Sequence, residues 1–147
     1  MNIDNKMKLD FLSKSTNESF ARTAVAAFIL PLDPTIEEIA DIKTALSEGV
    51  TNAIIHGYGN AHGIITVECE ICRNVVKITI EDKGKGIRDK NIARQPFYTE
   101  CDEGERSGMG FTVMETFMDS LEIISEIGEG TKLIMTKEIN SGMEQQR

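Results

Sequence analysis

Apolar and polar residues alternate from the first decade of the chain. In KMKLDFL (6–12), Met7, Leu9 and Phe11 fall on one side and Lys8 and Asp10 on the other, which predicts a half-buried strand. The period then lengthens. Ser15-Thr-Asn-Glu18 has the form of a capping box, so a helix is expected from there to about Leu30, with Phe20, Ala24, Ala27 and Phe28 as its inner stripe. Pro31 stops it. Asp33 as N-cap and Pro34 at the first helical position start a second helix over about 34–56. Its core stripe reads Ile36, Ile39, Ile42, Leu46, Val50, Ala53 and Ile54. Asp41, Glu48, Asn52 and His56 lie on the opposite side with Ala45 and Ile55, two apolar neighbours that imply partial cover there too. Gly57 and Gly59 end the helix by left-handed capping.

From Gly63 the period falls to 2. Ile65, Val67, Cys69 and Ile71 alternate with Thr66, Glu68 and Glu70; Arg73-Asn74 turns the chain, and Val75–Asp82 returns as an antiparallel strand. Val76, Ile78 and Ile80 form its inward set, and Asp82 is next in that register. Gly84-Lys-Gly86 makes a tight turn. A loose polar segment, Ile87–Ser107, with a short helix at 89–94, has the length and composition of a functional lid. A helix over Phe111–Met118 should pack Phe111, Met114 and Phe117 or Met118 inward. Strands Leu121–Ile127 and Thr131–Thr136, joined by Gly128-Glu-Gly130, close the pattern, and the tail from Asn140 reads as disordered. The order β-α-α-β-β-α-β-β predicts an α+β fold, a two-layer α/β sandwich with helices on one face of a mixed, mainly antiparallel sheet, in one domain over 1–147.

Composition changes this picture little but removes whole classes of function. With 40% hydrophobic and 27% charged residues the chain is an ordinary globule. It lacks the run of roughly 20 apolar residues that a membrane span needs, and its first residues hold no signal-peptide core, so a cytoplasmic protein is expected. A net charge of −8 without a basic stripe argues against broad nucleic-acid binding. Cys69 and Cys72 have C-x-x-C spacing, but three residues apart in a strand they face opposite sides of a sheet. They and Cys101 read as packing or incidental residues, not a metal centre or a disulfide framework.

The chemistry concentrates in four places. In SEGVTNAIIHGYG (47–59), Glu48, Asn52 and His56 recur every four residues, which aligns them in one row on a helix. Asn52 offers an oxygen to a hard cation such as Mg²⁺; Glu48, one turn before it, can orient or deprotonate a hydroxyl. His56 at a helix C-terminus is explained by the dipole alone. Asp82 aims a carboxylate at the buried side, where it can accept from an exocyclic amine such as adenine's, with Gly84 and Gly86 admitting the base and Thr131 adding a hydroxyl. Ser107-Gly108-Met109-Gly110 opens a helix, so its backbone N–H groups and dipole suit an anion, with Arg106 beside them as a phosphate clamp. Neither G-x-x-x-x-G-K-[ST] nor a full G-x-G-x-x-G is present. Glu18 and Arg22, one turn apart, read on spacing alone as a surface ion pair.

EGVTNAIIHGY, EDKGKGI, ERSGMGFTVMETF and GEGTKL, in this order and spacing, resemble the N, G1, G2 and G3 boxes of the GHKL (Bergerat-type) ATP-binding superfamily. With NESFAR (17–22) and ARQP (93–96), the chain from about 7 to 137 more closely resembles the small stand-alone serine protein kinases that act as anti-sigma factors. The resemblance implies an ATP- and Mg²⁺-dependent kinase that phosphorylates a serine on an anti-anti-sigma factor and, as a homodimer, holds a sigma factor inactive. It implies Glu48 as general base, Asn52 as Mg²⁺ ligand, Asp82 on the adenine amino group, Gly84 and Gly86 shaping that pocket, Arg106, Gly108 and Gly110 on phosphates, and Thr131 near the base. It also implies Arg22 as a contact for both partners and places 7–12 near the dimer interface. Sporulation and general-stress kinds share the boxes, and a nucleotide-switched binding module with negligible phosphotransfer shares them too. Gly49 departs from the family, whose members usually carry Ala there; inside a helix this costs about 1 kcal/mol.

Overall fold

The structure, a computed structural model, describes residues 2–59, 61–86 and 110–140. The Ile87–Ser107 lid segment, Cys101, the Arg106–Met109 cluster and the tail beyond Asn140 lie outside the described residues.

Five strands, β1 (Asn5–Leu12), β2 (Ile64–Cys72), β3 (Val75–Asp82), β4 (Ser120–Glu126) and β5 (Gly130–Glu138), form one sheet in the order β1-β2-β3-β5-β4. Each of these pairings is antiparallel, so the described sheet is not mixed. Among the described residues three α-helices, α1 (Thr16–Phe28), α2 (Ile36–Asn52) and α3 (Gly110–Phe117), pack with the sheet in an α+β fold. The inward residues of β3 are those expected: Val76, Ile78 and Ile80 are buried, and Asp82 beyond them is 3% exposed. Arg73 takes a left-handed conformation (φ 55°) in the β2–β3 turn. Cys69 is buried while Cys72 sits half-buried on the other side, as period 2 requires. Burial, and then the Glu70 charge beside it, push the Cys69 thiol up to about 12, which suits an inert packing residue. Among the described residues no helix is long and apolar enough to cross a membrane.

The helices depart from expectation in detail. Ser15 is already helical (φ −58°, ψ −30°) and its side chain makes no cap bond, so the expected capping box on α1 does not form. The inner stripe of α1 is Ala21, Val25 and Ile29, one position on from the expected one; Phe20 is exposed at 53%. The capping box belongs to α2 instead. Thr35 Oγ1 accepts from Glu38 N at 3.0 Å while Glu38 Oε1 accepts from Thr35 N at 2.9 Å. Asp33, expected as the N-cap, is instead left-handed (φ 54°) and caps the short 3₁₀ turn Leu30–Leu32. Ile36, in the first turn of α2, is 88% exposed and Ile39 only partly buried, so the core stripe starts at Ile42.

The side of α2 that carries Asp41 is covered. Ala45 is fully buried, and Asp41 Oδ2 lies 3.5 Å from Lys137 Nζ, which also donates to Phe117 O at 2.9 Å. Lys137 thereby ties α2, the end of α3 and β5 together. At Gly49 α2 packs tightly against the sheet: a Cβ there would stand 2.4 Å from Ile80 Cδ1. The family departure at this position therefore coincides with tight packing, which offsets the propensity cost of glycine in a helix.

Candidate functional site

At its C-terminal end α2 changes winding. Asn52 is the last α-helical residue, and Ala53–Tyr58 continue as a π-turn that ends at Gly59 (φ 61°). Glu48 and Asn52, both half-buried, keep the one-turn spacing of an α-helix. His56 lies inside the wider turn, where a step of four residues no longer returns to the same side. The row of three polar side chains is thus a pair. Glu48 faces the first residue of α3: a Cβ on Gly110 would stand 3.3 Å from Glu48 Oε2.

The π-turn presses the backbone of Gly57 onto the end of β3. A Cβ on Gly57 would lie 2.8 Å from both Asp82 Cγ and Asp82 Oδ1. Gly57 O accepts from Lys85 N at 2.9 Å, and a Cβ on Gly84 would stand 2.0 Å from that same oxygen. Gly86 (φ 77°) meets the Glu126 carbonyl as closely, and Lys85 O accepts from Gly128 N at 2.7 Å. Tyr58 pins the assembly from the side. Its hydroxyl accepts from Lys83 N at 2.8 Å and donates to Ile64 O at 2.6 Å.

Asp82 sits at the centre of this crossing. Burial pushes its carboxyl up to about 6, opposed by hydrogen bonds from the backbone of Gly84 and Thr131. Gly84 N reaches Oδ1 at 2.8 Å. At neutral pH the group is therefore mostly ionised, a buried acceptor for a ligand N–H. Thr131 pairs with Asp82 across the strands, is 4% exposed, and hydrogen-bonds through its hydroxyl to Ser125 Oγ at 2.8 Å. A cavity of ≈ 290 Å³ at this end of the sheet includes Asp82, Ser125, Gly130 and Thr131 in its lining.

The structure thus gathers Asp82, Gly84, Gly86 and Thr131 at one end of the site, and Glu48, Asn52 and Gly110 along the edge of α2 and the start of α3. Arg106 and Gly108 lie outside the described residues. Arg22, on α1, shares the lining of a cavity with Glu48, and its Nη1 lies 3.4 Å from Glu18 Oε1, so the ion pair expected on spacing is present. Four contributors to the site were not singled out from the sequence: Gly57, Tyr58, Ser125 and Gly130. On sequence alone Gly57 is a helix cap. Gly130 (φ 100°), where a Cβ would stand 2.1 Å from Asp82 O, was detectable as part of GEGT, but its neighbour was not.

This geometry is a layer of helices on an antiparallel sheet with a buried carboxylate at a glycine-lined strand end. The model of the histidine kinase-like ATPase domain matches residues 13–137, and the chain belongs to that family. Within it the chain falls among the anti-sigma F factors. It is 60% identical to the "Anti-sigma F factor" of Clostridium perfringens over 95% of this chain and 100% of that one. It is 62% identical to the protein of the same name from Thermoanaerobacter pseudethanolicus, over 96% of this chain and 99% of that one. Among solved structures, the RsbU and RsbW domains of a Mycobacterium tuberculosis protein superpose with a TM-score of 0.68 at 19% identity, over 92% of this chain and 32% of that one. A histidine kinase domain from Erythrobacter litoralis gives 0.54 at 16% identity, over 86% and 63%. These two likenesses concern the fold.

Proposed function

We propose that this chain is an anti-sigma factor of the sigma F type that is also an ATP- and Mg²⁺-dependent serine protein kinase, acting on an anti-anti-sigma factor. The observation that carries the reading is Glu48, one helical turn before Asn52 and facing the first residue of α3, with the buried Asp82 carboxylate under the π-turn that continues the same helix. The residues present fit the nucleotide. Asp82 is a desolvated acceptor for the adenine amino group, and Gly57, Gly84 and Gly130 crowd it with backbone, leaving its recognition to groups of fixed position. Asn52 would hold Mg²⁺ through its carboxamide oxygen, and the ion would supply charge neutralisation to the phosphates. Arg106, Gly108 and Gly110 are proposed to hold the phosphates. Bound ATP supplies the phosphoryl group. Glu48 takes the proton of the partner's serine hydroxyl as that oxygen bonds to the γ-phosphorus and the bond to ADP breaks. Arg22 is proposed as a contact for both protein partners, and a homodimer in the cytoplasm as the form that holds the sigma factor.

Incubation with γ-labelled ATP, sigma F and a purified anti-anti-sigma protein tests the reading. Label on one serine of the latter is expected, with sigma F retained in a complex when ATP is present. ATP binding with Mg²⁺ but no labelled serine would leave a nucleotide-switched binding module and overturn the kinase assignment.

A further inference from the structure

At the end of the sheet where the Asp82 cavity opens, cross-strand pairing sets three polar residues in one row. Asp82 of β3 pairs with Thr131 of β5, and Thr131 pairs with Ser125 of β4. Partners across neighbouring strands share a face. Asp82 and Thr131 are buried, Ser125 is half-buried, and all three line the cavity. Ser125 Oγ donates to Gly130 O at 3.0 Å and lies 2.8 Å from Thr131 Oγ1. A serine hydroxyl has one proton, and a carbonyl oxygen only accepts. Both bonds therefore form together only if Thr131 donates to Ser125, in a relay from Thr131 through Ser125 to the Gly130 carbonyl. The Thr131 proton is drawn toward β4. What remains for the cavity is the lone pairs of Thr131 Oγ1.

We infer that Ser125 is a positioning residue for nucleobase specificity: by holding the Thr131 proton it makes the Thr131 hydroxyl an acceptor beside the Asp82 carboxylate, so that the pocket takes a base edge bearing an amino group and rejects a 6-oxo purine. The inference rests on the reading of the Asp82 pocket as the adenine site. Two acceptors side by side match the two N–H groups of an exocyclic amine. A ring carbonyl would set lone pairs against lone pairs, and a polar group left without its partner in a desolvated pocket is rejected strongly. Ser125 acts here without touching the base. Without its hydroxyl, Thr131 is free to rotate and donate to a carbonyl, and the pocket loses its preference.

The test compares ATP with ITP, which carries a 6-oxo group in place of the amine, by calorimetric titration of the full-length chain in the presence of Mg²⁺. Wild type should prefer ATP about a hundredfold. Ser125→Ala should cut that ratio about tenfold, more through tighter ITP binding than through weaker ATP binding. Ser125→Thr keeps a hydroxyl at the same place and should restore the wild-type ratio. A merely structural role would weaken both nucleotides together, so an unchanged ratio in Ser125→Ala overturns the assignment. Thr131→Val gives a second, independent sign. It should lower the ratio, because it removes an acceptor from ATP and a repulsion from ITP. A raised ratio there would mean that Thr131 donates to the base, and it overturns the relay even if Ser125→Ala fails to fold. A wild-type chain that binds ATP and ITP alike overturns the adenine reading of Asp82 and this inference with it, whereas a preference for ATP that survives in Ser125→Ala overturns the inference alone.

Discussion

Asp82 and Glu48, the two carboxylates of the proposed site, are held in two different ways. Around Asp82 backbone meets backbone: Gly57 on the carboxyl, Gly84 on the Gly57 carbonyl, Gly130 on the Asp82 carbonyl, with Tyr58 bridging Lys83 and Ile64. Around Glu48 side chains lie on a regular helix, half-buried, with Gly110 of α3 approaching the carboxylate. The path of the chain itself sets the geometry at the first end. At the second, geometry is set by helix periodicity and can be altered one side chain at a time. A substitution near Asp82 should therefore disturb folding and nucleotide binding together, whereas one at Glu48 should disturb chemistry alone.

Glu48→Gln gives the sharpest separation. Loss of a positioned general base lowers kcat by about 10²–10⁴, equivalent to roughly 3–5 kcal/mol. Tm and ATP affinity should stay at wild-type values; a Tm drop of more than a few degrees would show that Glu48 is structural and dissolve the contrast. Next comes Asp82→Asn. The folded carboxyl titrates at about 6 against an ordinary 3.8, so it contributes stability that is complete below pH 4 and lost as pH rises through 6. Two units correspond to about 3 kcal/mol. Urea unfolding without nucleotide should show the stability of wild type relative to Asp82→Asn falling by about that amount between pH 4 and 7. A difference that stays flat with pH would mean the carboxyl is not desolvated. With nucleotide present the same variant should lose ATP affinity more than GTP affinity, and equal loss would argue against an adenine contact.

Gly84→Ala tests the backbone contact directly, since the added carbon would stand 2.0 Å from a carbonyl oxygen that cannot rotate away. Overpacking of this kind costs about 1–3 kcal/mol, or a Tm lower by roughly 3–10 °C, and ATP affinity should fall in the same variant. The smallest effect is expected at Gly49→Ala. There the obstacle is Ile80 Cδ1, the flexible end of a side chain. A gain of about 1 kcal/mol in helix propensity and a rotamer cost of about the same size should nearly cancel, leaving Tm within roughly 3 °C. A large loss at Gly49 would place rigid packing at the Glu48 end as well.

What the sequence allowed to be read divides along the same line. Period 2 carried Val76, Ile78, Ile80 and Asp82 to the inner face because alternation in a strand is a property of single residues. Period 3.6 found Glu48 and Asn52 for the same reason. It failed for α1, where Phe20 outweighed Ala21 by size although the helix contact takes the row Ala21, Val25 and Ile29. It failed again at the start of α2, where Asp33 and Pro34 have cap chemistry but the Thr35–Glu38 reciprocal bonds form. It also placed His56 with Glu48, since nothing in AIIHGY announces a π-turn. The glycines were visible as clusters, whereas the partners that require them, the Glu126 carbonyl for Gly86 or the Asp82 carbonyl for Gly130, are distant in sequence. Ser125 carries no local signal; only its hydroxyl against Thr131 reveals it.

The π-turn over Ala53–Tyr58 makes the length of this stretch matter more than its letters. In an α-helix each residue advances the chain by 1.5 Å and 100°. Removing any one of these residues would let the segment rewind and swing Gly57 off the carboxyl it covers, even if the residue lost were as plain as Ile54 or Ile55. Exchanges at those two positions keep the winding. Between Asn52 and Gly59, insertions and deletions should be purged from functional relatives far more strictly than conservative replacements.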